Sequence, residues 1–305
     1  MPMSAVLESV VSRLPIIKKI VAERDYLRRE CGFVPPGHFY SPLPSLVEID
    51  RDALKIFGSI PHSIPGIELH ESEQLKLLED FSRYYQSIPF LPHKTVGLRY
   101  YYENPAYSYS DAIFLHCMIR HLKPKKIIEI GSGFSSCAIL DTSKLFFDGS
   151  INITLIEPYP DLVMSLIKEE DKNEIKVIPQ RLQDVGLNEF EALAPNDILF
   201  IDSTHVSKIN SDVNRIFFEI LPALSSGVHI HFHDIFFPFE YPRDWIYEGR
   251  AWNEIYVLRT FLQYNSKFRV VLMNTFMKHF HESFFRERMP LCLENPGGSI
   301  WICKE

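Results

Sequence analysis

The chain has 305 residues, of which 46% are apolar and 23% are charged, a composition typical of a globular protein. This length allows one large α/β domain with an extension, or two small domains. The formal net charge of −7 argues against a nucleic-acid-binding protein, because such a protein needs a basic surface to displace the counterions of the phosphate backbone. We therefore expect a globular protein whose partners do not include nucleic acid.

The cysteines and the N-terminal sequence indicate the compartment. The cysteines are odd in number and scattered, without a CxxC pair, which is typical of a reducing compartment: Cys31, Cys117, Cys137, Cys292 and Cys303. Charged residues interrupt every apolar run in the first 31 residues, so no signal peptide is predicted. No stretch approaches the roughly 20 apolar residues of a transmembrane helix. We predict a cytoplasmic protein without a membrane span.

Residues 1–100 are predicted to form an N-terminal helical and irregular extension. Apolar residues at helical spacing, opposite lysines and arginines, predict an amphipathic helix over residues 5–31. This helix can pack on the main domain, pair with a second copy to form a homo-oligomer, or lie on a membrane surface. Six prolines indicate irregular structure over residues 32–66, and a second helix is predicted over residues 72–86.

A regular alternation of short apolar runs and helical patterns begins at residue 108. A helix capped by Ser110 or Asp111 is predicted to end at Lys123-Pro124. The predicted strands are 126–130, 153–156, 175–178, 197–201, 228–233, 268–274 and 299–303. The predicted helices between them are 135–145, 160–167, 187–192, 212–221 and 254–264. Such alternation requires a mostly parallel sheet that is covered on both faces. The last two strands show no clear helix between them, which favours an antiparallel pair that closes the sheet.

A glycine-rich turn joins the first predicted strand to the next helix in the segment KKIIEIGSGFSSCAIL. Gly131 and Gly133 suit a tight turn that a ligand approaches closely, and the helix that follows offers free N–H groups. Glu157 ends the second strand, where a carboxylate can accept both hydroxyls of an adenosine ribose. A dinucleotide site prefers a third glycine where this chain has Ser136.

The pattern Glu129-x-Gly131-x-Gly133 resembles the first motif of the class I S-adenosylmethionine-dependent methyltransferases. The resemblance implies a Rossmann-like, mostly parallel seven-stranded sheet with an antiparallel C-terminal strand over residues 101–305. It also implies that the glycine loop lies against the methionine moiety of S-adenosylmethionine and that Glu157 binds its ribose. The further cofactor-binding residues it implies are Ser132, Ser135, Ser136, Pro158, Gln183, Asp184, Asp202 and Ser203, with Gln183 or Asp184 contacting the adenine.

Polar side chains follow the fourth and fifth predicted strands, in the segments NDILFIDSTH and GVHIHFHD. Ligands of open α/β sheets bind at this carboxyl edge. In one interpretation Asp202, His233 and Asp234 bind a divalent cation, Mg²⁺ or Mn²⁺, while His205 removes a proton. In the other no metal is bound, and a histidine is the general base that the acids orient. Strand alternation also places His229 and His231 on the face of His233.

The order IDSTH and then HD is similar to the metal-dependent sugar O-methyltransferases of macrolide biosynthesis. Asp202 and His205 match the acid and the catalytic histidine of that group, but His233-Asp234 replaces its second acid pair. The whole pattern, including NPGGSIWI near the end, is closer to a bacterial group of methyltransferases that we associate with polysaccharide and natural-product genes.

The predicted function is an S-adenosylmethionine-dependent O-methyltransferase for a small polar hydroxylated substrate, such as a sugar or glycoside. The predicted catalytic residues are His205 as the base, with Asp202 and His233. One alternative is a nicotinamide-dependent oxidoreductase that uses the same glycine turn. Another is a cofactor-binding interaction module without catalytic activity, whose working surface is the N-terminal helix.

Overall fold

The computed structural model describes residues 15–30 and 33–305, which fall into two compact units. The N-terminal unit contains the described residues up to Ser59 together with Ile246–Ala251. The sheet unit contains Ile60–Trp245 and Trp252–Glu305. Residues 60–100 of the predicted extension therefore pack within the sheet unit.

The N-terminal unit contains helix α1, Pro15–Glu30, and helix α2, Leu46–Phe57. The first helix agrees with the amphipathic pattern, although residues 5–14 and Cys31 of that prediction lie outside the described residues. The second helix corrects the prediction that residues 32–66 are irregular throughout. Four of the six prolines precede this helix and two follow it, so none interrupts it. The hydroxyl of Ser45 accepts a hydrogen bond from the N–H of Glu48 at the N-terminus of the helix.

A seven-stranded sheet forms the centre of the sheet unit, in the order β3-β2-β1-β4-β5-β7-β6. Strand β7 runs antiparallel to β5 and β6, while all the other neighbours are parallel. The strands are β1 Lys126–Ile130, β2 Asn152–Ile156, β3 Lys176–Ile178, β4 Ile198–Ile201, β5 His229–His233, β6 Phe268–Met273 and β7 Ser299–Lys304. The predicted α/β class and the antiparallel C-terminal strand are confirmed.

Helices surround the sheet as the sequence alternation predicts, with one exception. The helices are α3 Glu71–Tyr85, α4 Tyr109–Leu122, α5 Phe134–Phe147, α6 Asp161–Leu166, α7 Asn188–Glu191, α8 Asp212–Arg215, α9 Leu221–Ala223, α10 Arg243–Tyr247, α11 Glu254–Leu262, α12 Asn274–Phe280 and α13 Glu282–Arg288. A π-helical segment, Ile216–Ile220, joins α8 to α9. Helices α12 and α13 correct the prediction that no helix lies between the last two strands. In the described part of the chain, no helix combines the length and the apolarity needed to cross a membrane.

A row of buried side chains crosses one face of the sheet. Glu129, Phe200, His231 and Trp301 are register partners on β1, β4, β5 and β7, and all are fully buried. The His231 ring stacks on Phe200, with ring centroids 4.2 Å apart, and lies 4.7 Å from the ring of Trp301. Burial holds the pKa of His231 well below its ordinary value, so this residue is neutral and packs as an aromatic ring.

The loop before β7 is fixed to helix α4 by a buried carboxylate. Asp111 accepts hydrogen bonds from Ser299 Oγ at 2.8 Å, from Asn274 Nδ2 at 2.9 Å and from the N–H of Gly298. A Cβ at Gly297 would lie 2.3 Å from Asp111 Oδ2, so the NPGG segment needs glycine there. Asp111 therefore links three elements, and the prediction that it or Ser110 caps α4 is wrong, because the helix begins at Tyr109.

A second buried cluster, formed by Arg99, Asp141 and Asp171, connects the segment before α4 to helix α5 and to the segment after α6. Arg99 donates to Asp141 Oδ1 from Nη1 at 2.7 Å and to Asp171 Oδ2 from Nε at 2.6 Å. All three side chains are almost fully buried. Asp141 also accepts the N–H groups of Arg99 and Tyr100, both at 2.8 Å. The two carboxylates are thus satisfied by one guanidinium and by neighbouring backbone donors.

Substitution Arg99→Met should destabilise the protein strongly, because it leaves Asp141 and Asp171 buried without their cation. We expect a loss of about 3–5 kcal/mol in the free energy of unfolding, measured by denaturant titration. The control is Lys144→Met, which breaks the half-exposed pair with Glu174 and should cost no more than about 1 kcal/mol. Equal losses in the two variants would contradict the structural role of the cluster.

Candidate functional site

The glycine turn between β1 and α5 lies directly against the end of β4. Gly131 has a φ of +78°, and a Cβ there would lie 1.9 Å from the carbonyl oxygen of Asp202. The Gly131 N–H donates to the carbonyl of Ile156 at the end of β2. Only glycine combines this left-handed backbone with so close an approach. The turn therefore brings the ends of β1, β2 and β4 together, as the cofactor prediction requires.

The buried side chain of Glu129, on β1, holds the residues that follow this turn by hydrogen bonds. Its two carboxylate oxygens accept hydrogen bonds from the hydroxyls of Ser135 and Ser136, each at 2.5 Å. The Ser136 hydroxyl also accepts the N–H of Gly133 at 3.1 Å. Burial raises the pKa of Glu129 to about 8, although the two serine hydroxyls favour its charged form. The hydroxyls of Ser135 and Ser136 thus hold the start of α5 on the sheet.

Glu157 lies at the tip of β2, beside the same turn. Its Oε2 accepts the N–H of Ser132 at 3.3 Å and its Oε1 accepts the N–H of Tyr159 at 2.9 Å. Pro158, the next residue in the chain, is half-buried. The structure therefore places the predicted ribose carboxylate next to the glycine turn.

Gln183 and Asp184, the predicted adenine contacts, lie in a single turn of 3₁₀ helix after β3. The Gln183 amide donates to the carbonyl of Asn210 at 2.8 Å. The carboxylate of Asp184 forms an exposed ion pair with Arg181, with Oδ2 2.8 Å from Nε. Both side chains are thus engaged by neighbouring residues, and their contact with adenine stays a prediction.

Three predicted residues converge at the carboxyl ends of β4 and β5. One ligand atom each from Asp202, His233 and Asp234 lies within 4.8 Å of the other two. Burial opposes the charge on Asp202, but His233 and His205 outweigh it and hold the pKa of this carboxyl below its usual value. Burial likewise opposes a charge on His233, whose pKa is nevertheless raised by Asp234 and Asp202. The side chain of Asp202 is 35% exposed, so the cluster is accessible from outside.

His205 lies beside this cluster and is surrounded by carboxylates. Its Nε2 is 3.4 Å from Asp202 Oδ1 and 3.6 Å from Asp234 Oδ2, and its Nδ1 is 2.8 Å from Glu254 Oε2. Burial acts to lower the pKa of His205, but the hydrogen bonds to Asp202 and Glu254 raise it to about 10. With these partners alone, the imidazole holds its proton at neutral pH.

Two residues at this site were missed from the sequence. Glu254 approaches His205 from helix α11, and the ring of Trp252 lies 4.4 Å from the imidazole, centroid to centroid. Neither residue belongs to a motif, and Glu254 is 49 positions from His205 in the chain. Ser203, a predicted cofactor residue, donates instead to Glu254 Oε1 at 3.3 Å.

The histidines of β5 differ in their surroundings, although the strand alternates as predicted. His231 is enclosed by aromatic rings, and burial lowers the pKa of His229 to about 4. Only His233 reaches the acidic cluster. The first two histidines are therefore packing residues, and the third belongs to the candidate site.

Comparison with known proteins agrees with this geometry. The model of a family described as a methyltransferase domain matches residues 128–235, from β1 to just beyond β5. An uncharacterized protein of Archaeoglobus fulgidus is 39% identical over 187 residues, which are 60% of this chain and 84% of that protein. The matched segment identifies the chain as a methyltransferase of the class I type, with S-adenosylmethionine as its cofactor. The oxidoreductase and the non-catalytic module are set aside.

Two solved structures are similar at low identity. The SAH-bound Podospora anserina methyltransferase PaMTH1 is 15% identical, with 90% of this chain and 99% of that chain covered and a TM-score of 0.43. The SAH complex of an O-methyltransferase from Bacillus cereus is 14% identical, with 85% and 97% covered and a TM-score of 0.43.

The position of Glu157 predicts a direct effect on cofactor binding. Glu157→Ala should weaken S-adenosylhomocysteine about 10- to 100-fold in calorimetry, because hydrogen bonds to a charged group contribute about 1.5–3 kcal/mol. The control Glu174→Ala removes a half-exposed carboxylate paired with Lys144 and should leave the affinity unchanged. Equal affinities for the two variants would exclude Glu157 from the ribose site.

Proposed function

We propose that this methyltransferase transfers the methyl group to an oxygen atom of a small polar hydroxylated substrate, such as a sugar or glycoside. The observation that carries the proposal is the group of His205, Asp202, His233 and Asp234 at the carboxyl edge, next to the glycine turn. Acids and imidazoles are suited to bind hydroxyl groups and to accept a proton.

Methyl transfer to a hydroxyl group requires the protein to align the donor with the acceptor and to provide one proton acceptor. The sulfonium of S-adenosylmethionine is an activated donor, so the protein must hold the methyl group and the acceptor oxygen in line. The backbone of Gly131 approaches the backbone of Asp202 closely. A cofactor bound at the glycine turn would therefore lie beside the acidic cluster in this proposal. In this proposal His205 removes the hydroxyl proton, while Asp202 and His233 hold the acceptor or a metal.

A divalent cation fits the residues present. Asp202, His233 and Asp234 offer two carboxylates and an imidazole close together, a set that favours Mn²⁺ over Mg²⁺. Nε2 of His233 lies 3.4 Å from Asp234 Oδ1, so the imidazole brings a ligand nitrogen to the two carboxylates. A bound cation would supply a Lewis acid for acceptor hydroxyls and would draw the charge of the two aspartates away from His205.

The setting of this activity is also a proposal. The acceptor is a small molecule and the location is cytoplasmic in this proposal, and the net charge of −7 disfavours nucleic-acid partners. A homo-oligomer formed through helix α1 is consistent with its apolar side chains at the surface, such as Ile16 and Ile20, which are 73% and 55% exposed.

A methyl-transfer screen tests the proposed reaction. Protein with radiolabelled S-adenosylmethionine is offered sugars, nucleotide sugars, phenols and amines, with and without Mn²⁺ or Mg²⁺, and products are assigned by mass spectrometry. We expect methyl ethers from the hydroxylated acceptors. In His205→Ala, kcat should fall about 10²- to 10⁴-fold, because a general base contributes that much, while S-adenosylhomocysteine affinity is retained.

The control for this variant is His62→Ala, which removes an exposed histidine and should keep full activity. Methylation of amines alone would overturn O-methylation. Full activity of His205→Ala would remove the base role.

Metal binding has its own matched pair of variants. Asp234→Asn should weaken Mn²⁺ binding at least about tenfold in calorimetry, because the amide lacks the charge that a hard cation prefers. Asp234 and Asp148 both have left-handed backbone, with φ of 56° and 52°, which asparagine tolerates. Asp148→Asn is therefore the control and should bind Mn²⁺ like the wild type. The same Mn²⁺ affinity in both variants would exclude Asp234 as a ligand.

A further inference from the structure

Glu254 is the carboxylate nearest to the imidazole of His205, and it approaches the ring from the side away from the acidic cluster. Its Oε2 lies 2.8 Å from Nδ1, whereas Asp202 and Asp234 lie 3.4 and 3.6 Å from Nε2. The side chain of Glu254 is only 1% exposed. Its second oxygen accepts the hydroxyl of Ser203. A buried carboxylate with both oxygens engaged is held in one orientation.

The two nitrogens of His205 therefore have different surroundings. A carboxylate accepts hydrogen bonds and donates none when ionised. Glu254 Oε2, at 2.8 Å, therefore favours a proton on Nδ1 more strongly than the more distant oxygens of Asp202 and Asp234 favour one on Nε2. Nε2 is left to face Asp202 and Asp234, on the side where the sheet ends. The partner of one ring nitrogen thus decides which nitrogen can exchange a proton with a ligand.

The rest of His205 is held by the residues around Glu254. The carbonyl of His205 accepts the N–H groups of Asn253 and Glu254 at 3.0 and 3.1 Å, and the ring of Trp252 lies against the imidazole. His205 also has a φ of +60°, a left-handed backbone that a residue with a Cβ keeps only where surrounding contacts hold it. Residues 252–254 therefore contact the backbone carbonyl, the ring face and the Nδ1 atom of His205.

We propose that Glu254 is a positioning residue that holds a proton on Nδ1 of His205 and directs Nε2 at the acceptor hydroxyl. This inference rests on the base role of His205 proposed above. As the acceptor oxygen forms its bond to the methyl carbon, the bond from sulfur to that carbon breaks with its electrons on sulfur. The hydroxyl proton moves to the unprotonated Nε2 of the neutral imidazole, and Glu254 stabilises the imidazolium that forms.

The sharpest variant is Glu254→Gln, which keeps the shape of the side chain and removes its charge. The glutamine amide can turn its NH₂ group toward Nδ1, which favours the tautomer with the proton on Nε2. We expect kcat to fall about 10- to 1000-fold, within the range that a general base contributes, with KM and S-adenosylhomocysteine affinity within threefold of wild type. Glu254→Asp retains the charge and should give an intermediate kcat, and it serves as the second variant if Glu254→Gln does not fold.

A spectroscopic measurement tests the same point without an acceptor. Protein with ¹⁵N-labelled histidine is examined by long-range ¹H–¹⁵N correlation, with His205→Gln to assign the ring. At a pH high enough to neutralise His205, we expect the remaining proton on Nδ1 in the wild type and in Glu254→Asp, and a shift of that proton toward Nε2 in Glu254→Gln. The control is Glu240→Gln, because Glu240 also contacts α11, through the hydroxyl of Tyr256, and should change neither kcat nor the His205 signals.

The outcomes separate this inference from the proposed function. Loss of kcat in Glu254→Gln, with the shifted proton and an unchanged melting temperature, supports it. Wild-type kcat and an unchanged Nδ1 signal overturn it, and so does a parallel loss of cofactor affinity and melting temperature, which indicates a structural role. Full activity of His205→Ala overturns the base role itself, whatever Glu254 does.

Discussion

The close approach of Gly131 to the carbonyl of Asp202 is the constraint on which the candidate site depends. No side chain fits between them, since a Cβ would lie 1.9 Å from that oxygen. The contact joins the loop that resembles the cofactor motif to the residue that begins the acidic cluster. Because both loops follow adjacent parallel strands, the sheet register holds them together. The glycine turn and the acidic cluster therefore lie together at one edge of the sheet.

Three networks of buried carboxylates support this edge, and each carboxylate accepts hydrogen bonds from groups around it. Glu129 is bound by two serine hydroxyls under the glycine turn, and Asp111 fixes the loop before β7. Arg99 forms ion pairs with Asp141 of helix α5 and with Asp171. Burying such groups costs free energy unless their hydrogen bonds are complete, so these networks make the positions of the loops specific.

Backbone strain coincides with the site as well. His205 and Asp234 both have left-handed backbone, although neither is glycine. Such conformations persist only where surrounding contacts determine them, and here hydrogen bonds and ring contacts surround both residues. The side chains are thereby presented in one arrangement before any ligand arrives, and this preorganisation is what transfer of a methyl group requires.

The sequence by itself determined the architecture and the cofactor motif. Alternating apolar runs predict a parallel sheet, and Glu129, Gly131 and Glu157 follow one another within two β–α units, so local pattern is enough to find them. The acidic cluster could also be predicted from the sequence, because the carboxyl ends of neighbouring parallel strands meet at one edge of the sheet. Helices α2, α12 and α13 were missed where prolines and aromatic residues obscure the helical period.

Only the tertiary structure decided how individual side chains are used. Asp111 looks like a helix cap in sequence but binds a loop 187 residues away, and the similar histidines of β5 divide into packing residues and one site residue. Glu254 could not be found from local pattern, because its meeting with His205 depends on how helix α11 packs beside the end of β4. Periodicity records which face of an element is buried, whereas the partner of a buried charge is set by contacts between distant parts of the chain.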